Sequence, residues 1–261
     1  MKRVSGFIYG FISYIIFFAT FLYSIGFIGN LWVPKSIDSA PNVPLTQALL
    51  INLGLLGIFA IQHSVMARPW FKCWITLVIP EALERSTYVL ASSLALIGLF
   101  FFWEPMGGLI WNIESSVGIA LTYAGFAFGW GLVLLSTFLI NHFDLFGLRQ
   151  VWLSLRKIPY SPLQFETPFI YRLVRHPLYL GWFFAFWSTP TMTMAHLVFA
   201  IATTAYILIA IQLEERDLLR AHPEYRAYRE RVPMIIPFIG KTKMPKPTLE
   251  ELAGEGMAGK A

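Results

Sequence analysis

The sequence holds a single cysteine, Cys73, among 261 residues. An internal disulfide is therefore impossible, and a cysteine-rich metal site is excluded. Charge is also scarce: Asp, Glu, Lys and Arg make up 13% of the chain, against 56% hydrophobic residues and a mean hydropathy of +0.60. A soluble domain carries about a quarter charged residues, so composition excludes that class and indicates an integral membrane protein. The centres of the apolar runs lack Lys, Arg, Asp and Glu, which argues against a charge-coupled pump, because a transport path needs ionisable groups inside the membrane. No G-x-G-x-x-G follows a strand pattern, and phosphate-binding loop, H-E-x-x-H and nucleophile elbow are all missing.

What is present is a series of apolar runs, each to be compared with the roughly 20 residues a helix needs to cross the hydrocarbon core. They predict an all-α, polytopic transmembrane helical bundle with spans at about 7–29, 45–62, 86–103, 116–140, 178–194 and 195–213. The run after Lys2 and Arg3 exceeds a signal-peptide core, so it reads as a retained anchor. The fifth run is short and interrupted by Pro190, so the fifth and sixth also read as one broken hairpin, giving five spans instead of six. Gly125 and Gly129 form a small-xxx-small pattern that favours close helix packing. Residues 1–240 read as one membrane domain with its cofactor-binding half at 171–237, followed by a polar tail, 241–261, disordered from about Glu250.

With six spans both termini share a face, and of the 20 Lys and Arg residues only Lys35 falls in the opposite loops. The positive-inside rule then places both termini, the 63–85 and 141–174 connections and the motifs below in the cytoplasm. Topology and anionic lipid account for the basic excess, so the bilayer is the expected partner and nucleic acid has no role.

Polar chemistry collects in Arg175-His176-Pro177-Leu178-Tyr179-Leu180-Gly181 and in Glu214-Glu215-Arg216-Asp217, separated by about 32 mostly apolar residues. An intervening hairpin would bring the two motifs to one membrane face as walls of one site. Pro177 suits the first turn of a helix and biases His176 towards an extended conformation. Gly181 would let a ligand approach the backbone. The first motif reads equally as a basic membrane anchor, and Glu214 and Glu215 as solvated interfacial charge. Arg216 and Arg220 lie four apart and would repel unless an anion sits between them. Tyr225 and Tyr228 share a helix face, suited either to interfacial packing or to stacking on an aromatic base. His142 beside Asp144 could form a base with its orienting partner, or a plain helix-end cap; the pair is too small for a metal site. His63, at the end of the second span, has the same ambiguity, and His196, near the opposite face, is given no role.

Arg175-His176-Pro177-x-Tyr179-x-Gly181, then Glu214-Glu215-x-x-Leu218, Tyr225-x-x-Tyr228 and Val232-Pro233-x-x-x-Pro237 together resemble the C-terminal half of the integral-membrane methyltransferases. That superfamily includes isoprenylcysteine carboxyl methyltransferases, phospholipid N-methyltransferases and NnrU-like proteins. In the front half, Gln62-His63-Ser64-Val65-Met66-Ala67-Arg68 and Asn141-His142-Phe143-Asp144-Leu145-Phe146-Gly147-Leu148-Arg149-Gln150 resemble the bacterial methanethiol S-methyltransferases. One departure is His222-Pro223, where the family often has Phe-Gly.

The resemblance implies an enzyme of the bacterial cytoplasmic membrane that methylates methanethiol with S-adenosylmethionine and needs no protein partner or metal. It also implies a cofactor pocket of Arg175, His176, Tyr179, Gly181, Glu214, Glu215, Arg220, Tyr225 and Tyr228. The expected thiol base is His142, oriented by Asp144, with His63 the second candidate. Methylation of a lipid amine or a prenylcysteine carboxylate, or a non-enzymatic assembly role, are the alternatives. A lipid substrate would need a lateral gap between spans, whereas methanethiol would need only a small closed chamber.

Overall fold

The computed structural model of the protein describes residues 2–237, so the expected polar tail lies outside the described residues. The helices are α1 (Lys2–Gly29), α2 (Leu45–Ala67), α3 (Pro69–Ile75), α4 (Glu81–Phe102), α5 (Ser116–Ile140), α6 (His142–Leu145), α7 (Leu148–Arg156), α8 (Pro177–Trp187), α9 (Met194–Ala221) and α10 (Tyr225–Arg231). Two short strands, β1 (Leu109–Asn112) and β2 (Thr191–Thr193), pair antiparallel. Among the described residues the all-α expectation therefore holds apart from this one two-stranded sheet.

Five helices, α1, α2, α4, α5 and α9, are long and apolar enough to cross a membrane. The expected fifth span, 178–194, is the one that falls short: α8 has 11 residues, about 16 Å at 1.5 Å per residue, roughly half the hydrocarbon thickness. The chain continues from α8 through Pro190 into β2, whose pairing with β1 joins the α8–α9 connection to the α4–α5 connection. Large apolar side chains point outward along the bundle, with Ile8, Ile12, Ile15 and Leu22 of α1 all about half exposed, as a lipid-facing surface requires.

Glycines bring α8 against α5. A Cβ on Gly129 would lie 2.5 Å from the Ala185 backbone nitrogen, and one on Gly181 would lie 2.8 Å from the Gly129 carbonyl oxygen. The small-residue pattern seen in the sequence is thus the α5–α8 contact. It also corrects the expected role of Gly181, which faces α5 backbone and not a ligand.

Hydroxyls within the apolar helices are satisfied by their own backbone, as Ser13, Thr20, Ser24, Ser93 and Ser136 each donate to the carbonyl four residues earlier. Asn52 clasps the end of α4 twice, donating to the Glu104 carbonyl at 2.7 Å and accepting from its amide at 2.9 Å.

One end of the bundle gathers the 30–44, 103–115 and 188–193 connections. There the buried His196 contacts the Asp38 carboxylate through Nδ1 (3.2 Å) and the Phe186 carbonyl through Nε2 (2.9 Å), and Thr193 and Asn30 also donate to Asp38. Burial works to raise the Asp38 pKa, but these hydrogen bonds and the His196 charge hold it below the ordinary carboxylate value. The opposite end carries α3, α6, α7 and α10. It is tied together by Arg68 donating to Asp217 (2.9 Å) and Arg85 donating to the Leu145 carbonyl (2.7 Å).

Candidate active site

Six helices, α1, α2, α4, α5, α8 and α9, surround a cavity of about 830 Å³. Its polar end is built by the two motifs. Pro177 starts α8 at its first turn, which leaves Arg175 and His176 outside the helix; His176, with φ −126° and ψ 63°, falls short of the extended conformation expected before a proline. Their amides donate to the carbonyls of Pro233 and Met234 at 2.9 and 3.0 Å, so the Val-Pro segment after α10 pins the motif.

Glu215 is the buried hub. Its Oε1 accepts from Arg175 Nε (2.8 Å), faces His176 Nε2 (3.0 Å) and accepts from the Tyr225 hydroxyl (3.2 Å), while Arg229 Nε lies 3.1 Å from Oε2. Arg175 also donates to the carbonyls of Arg229 and Val232. With both oxygens engaged by protein and no share in the cavity lining, Glu215 holds the wall of the site from behind. Glu214, one residue earlier on α9, lines the cavity and accepts from the Tyr179 hydroxyl at 2.9 Å. Adjacent carboxylates on one helix thus face different surroundings, as helical geometry dictates.

Tyr225 and Tyr228 pack with Phe165 against the cavity's polar mouth, ring centroids 5.7 and 5.6 Å from Phe165. Burial, and for Tyr225 the Glu215 carboxylate next, pushes both phenols well above their ordinary value, so each stays a donor. Tyr228 donates to the Tyr171 carbonyl at 2.6 Å. At the departure from the family pattern, His222 ends α9 and Pro223 lies in the turn before α10, which starts at Tyr225. Arg220 is exposed and lies outside the cavity lining, which removes it from the expected pocket.

Both candidate histidines line this cavity, but Asp144 does not orient His142. The Asp144 carboxylate accepts from Arg149 Nη1 (2.7 Å) and faces the second, smaller cavity on the far side of the loop. His142 and Asp144 stand two apart on α6, which turns their side chains to opposite faces. His142 instead contacts Thr137 Oγ1 through Nδ1 (2.8 Å) and the Tyr14 hydroxyl through Nε2 (2.9 Å). Thr137 gives its one proton to the Leu134 carbonyl, so Nδ1 carries hydrogen and Nε2 accepts from Tyr14. Burial pushes the His142 pKa below 6.5, in keeping with this neutral form.

His63 lies on the cavity wall among groups that no sequence motif singled out. The Tyr88 hydroxyl is 2.8 Å from its Nε2, and Ser92 Oγ is 3.1 Å from its Nδ1. Tyr206, bonded to Ser64 at 3.0 Å, and Arg85, whose guanidinium sits 5.3 Å from the Tyr88 ring centroid, line the same region. The signal available in the sequence was slight: Tyr88 and Ser92 stand four apart on a helix, which puts two hydroxyls on one face. The arrangement therefore offers a carboxylate, several neutral phenols and a hydroxyl-bound imidazole at one end of an otherwise apolar space.

Comparison with known proteins agrees with this chemistry. The chain is 59% identical over 242 residues to the methanethiol S-methyltransferase of Crocosphaera subtropica, covering 92% of this chain and 95% of that protein. It is 51% identical over 239 residues to the methanethiol S-methyltransferase of Mycobacterium tuberculosis, covering 91% and 98%, and 50% identical over 234 residues to methanethiol S-methyltransferase 1 of Bradyrhizobium diazoefficiens, covering 89% and 82%. No protein-family model matches the chain, and no solved structure matches it.

Proposed function

Because the chain belongs to the methanethiol S-methyltransferase family, we propose that it transfers a methyl group to the sulfur of methanethiol, giving dimethyl sulfide, with S-adenosylmethionine as the donor. The observation that carries this reading is the single cavity that holds Glu214, Tyr179 and His63 together. When bound, the donor supplies an electrophilic methyl on a sulfonium, so the protein chiefly aligns a nucleophile with it. The residues present fit such a cation: Glu214 supplies a carboxylate, and Phe165, Tyr225 and Tyr228 supply aromatic surface at the mouth for a nucleobase. Arg175, His176 and Glu215 position this wall, and Tyr179 fixes Glu214.

The chain's remaining task is to bring the thiol to its anion. Alkyl thiols are mostly protonated at neutral pH, and burial alone makes the anion less favourable. In this proposal His63 accepts the proton, aided by the hydroxyls of Tyr88 and Ser92, and the nearby Arg85 cation favours the thiolate. His142 is the second candidate: hydroxyls engage both ring nitrogens of each histidine, Thr137 and Tyr14 for His142 and Ser92 and Tyr88 for His63, and the Arg85 cation beside the Tyr88 ring is what favours His63. The site end of the bundle faces the cytoplasm of a bacterial cell, supported by the location of 19 of the 20 Lys and Arg outside the opposite loops.

The direct test is purified chain in detergent, supplied with methanethiol and S-adenosylmethionine bearing a deuterated methyl. Headspace mass spectrometry should find dimethyl sulfide carrying one labelled methyl. Donor binding without labelled sulfide would reject methanethiol as the acceptor.

A further inference from the structure

The cavity is much longer than methanethiol requires. On α9 its lining runs from Leu218 to Phe199, 19 residues or about 28 Å at 1.5 Å per residue. The polar groups occupy the first part, and beyond them Ser24, Leu56, Ser93, Leu99 and Phe199 mark an apolar shaft towards the opposite end. Ser24 and Ser93, which interrupt it, each spend their proton on their own helix at 2.7 and 2.8 Å and so have no donor left for a polar ligand.

The wall between α1 and α5 is different from the others. These helices flank the cavity without packing along their length. One ring pair bridges the gap instead, Phe21 of α1 edge-on to Trp130 of α5 at 5.2 Å, while Phe17 stacks at 3.8 Å on Phe146 in the turn after α6. Phe18 of α1 and Ile140 of α5 line the cavity and stay 37% and 48% exposed, so this wall is the least sealed by packing.

We propose that the enzyme also methylates larger hydrophobic thiols, which enter from lipid at the α1–α5 seam and lay an alkyl tail in the shaft. This rests on the thiol methyltransferase reading above. The chemistry is unchanged: the alkyl sulfur loses its proton to His63 and gains the methyl as the donor's carbon–sulfur bond breaks, leaving an alkyl methyl sulfide and the demethylated donor. A chamber closed around one methyl would reject each added methylene by about tenfold or more, whereas an open shaft does not.

The experiment is a series from methanethiol to 1-octanethiol with the full chain in lipid nanodiscs, quantifying each methyl sulfide. Octyl methyl sulfide should form at a rate within about tenfold of dimethyl sulfide, because lipid and shaft are comparably apolar towards the tail. Ser93→Phe, or Ser24→Phe if the first fails to fold, should abolish the octyl product and keep dimethyl sulfide. As a readout apart from turnover, a Ser93→Cys chain with Cys73→Ser should take up an octyl thiosulfonate label, detected by mass. Alkyl methyl sulfide formation that drops tenfold or more per added methylene, with dimethyl sulfide still formed and no octyl label, overturns the inference and leaves the methanethiol reading intact. Failure with every thiol, methanethiol included, overturns both.

Discussion

Glu215 Oε1 and Arg175 Nε stand 2.8 Å apart with both side chains almost wholly buried, joining α9 to the segment that starts α8. Removing the carboxylate would leave Arg175 as an uncompensated buried charge, which costs about 3–5 kcal/mol. Glu215→Ala is therefore expected to lower stability by that amount in detergent unfolding, and to lose donor binding as a consequence of a disordered wall. An unfolding midpoint equal to that of the wild type would show that the pair holds nothing in place.

Helix packing gives a second expectation. A side chain on Gly129 would meet backbone atoms of Ala185 and Gly181, which cannot rotate away. Gly129→Val should destabilise the bundle by about 1–3 kcal/mol or more, whereas Gly131→Ala, whose Cβ would meet nothing within 4 Å, should be nearly neutral in the same unfolding measurement.

Glu214 and Tyr179 carry the expected donor affinity. Loss of a hydrogen bond to a charged group is worth roughly 1.5–3 kcal/mol, so Glu214→Gln should weaken S-adenosylmethionine binding by at least about tenfold. Tyr179→Phe, which frees the carboxylate without neutralising it, should have the smaller effect. Titration calorimetry on the purified variants separates the two.

His142 makes stability depend on pH. Its folded pKa lies below 6.5 because burial disfavours the imidazolium, so the unfolded chain takes up the proton first as pH falls. The resulting stability is complete above pH 6.5 and is lost as pH drops through the depressed folded value. Measured from neutral pH downward, the wild-type unfolding midpoint should fall relative to that of His142→Gln; a constant difference would mean the histidine does not titrate with unfolding.

Much of this was legible in the sequence because it is local. Apolar runs set the helices, Pro177 set the start of α8, and Gly125 and Gly129 announced the contact surface of α5. That the Arg175 and Glu214 motifs meet at one end of the bundle followed from counting the apolar residues between them, but not which carboxylate Arg175 and His176 would take. What stayed hidden depends on helix rotation and on partners distant in the chain. The 141–147 turn sends Asp144 away from His142, whose partner Tyr14 lies 128 residues earlier. Tyr88 and Tyr206 belong to no recognisable motif, and their grouping around His63 needs three helices in place. Gly181 sits in a motif but faces α5, a choice that neighbour identity alone does not reveal. The span count turned on α8, where 11 helical residues and a strand replace a full crossing.

The central claim, that one cavity joins a donor site to a thiol-activating histidine, is tested most directly by His63→Ala. Headspace dimethyl sulfide and S-adenosylmethionine affinity are measured on one preparation, beside wild type and His142→Ala. The account predicts donor affinity near that of wild type with turnover slower by at least about 100-fold, the scale for loss of a general base, and a smaller loss for His142→Ala. Turnover in His63→Ala equal to wild type would contradict it.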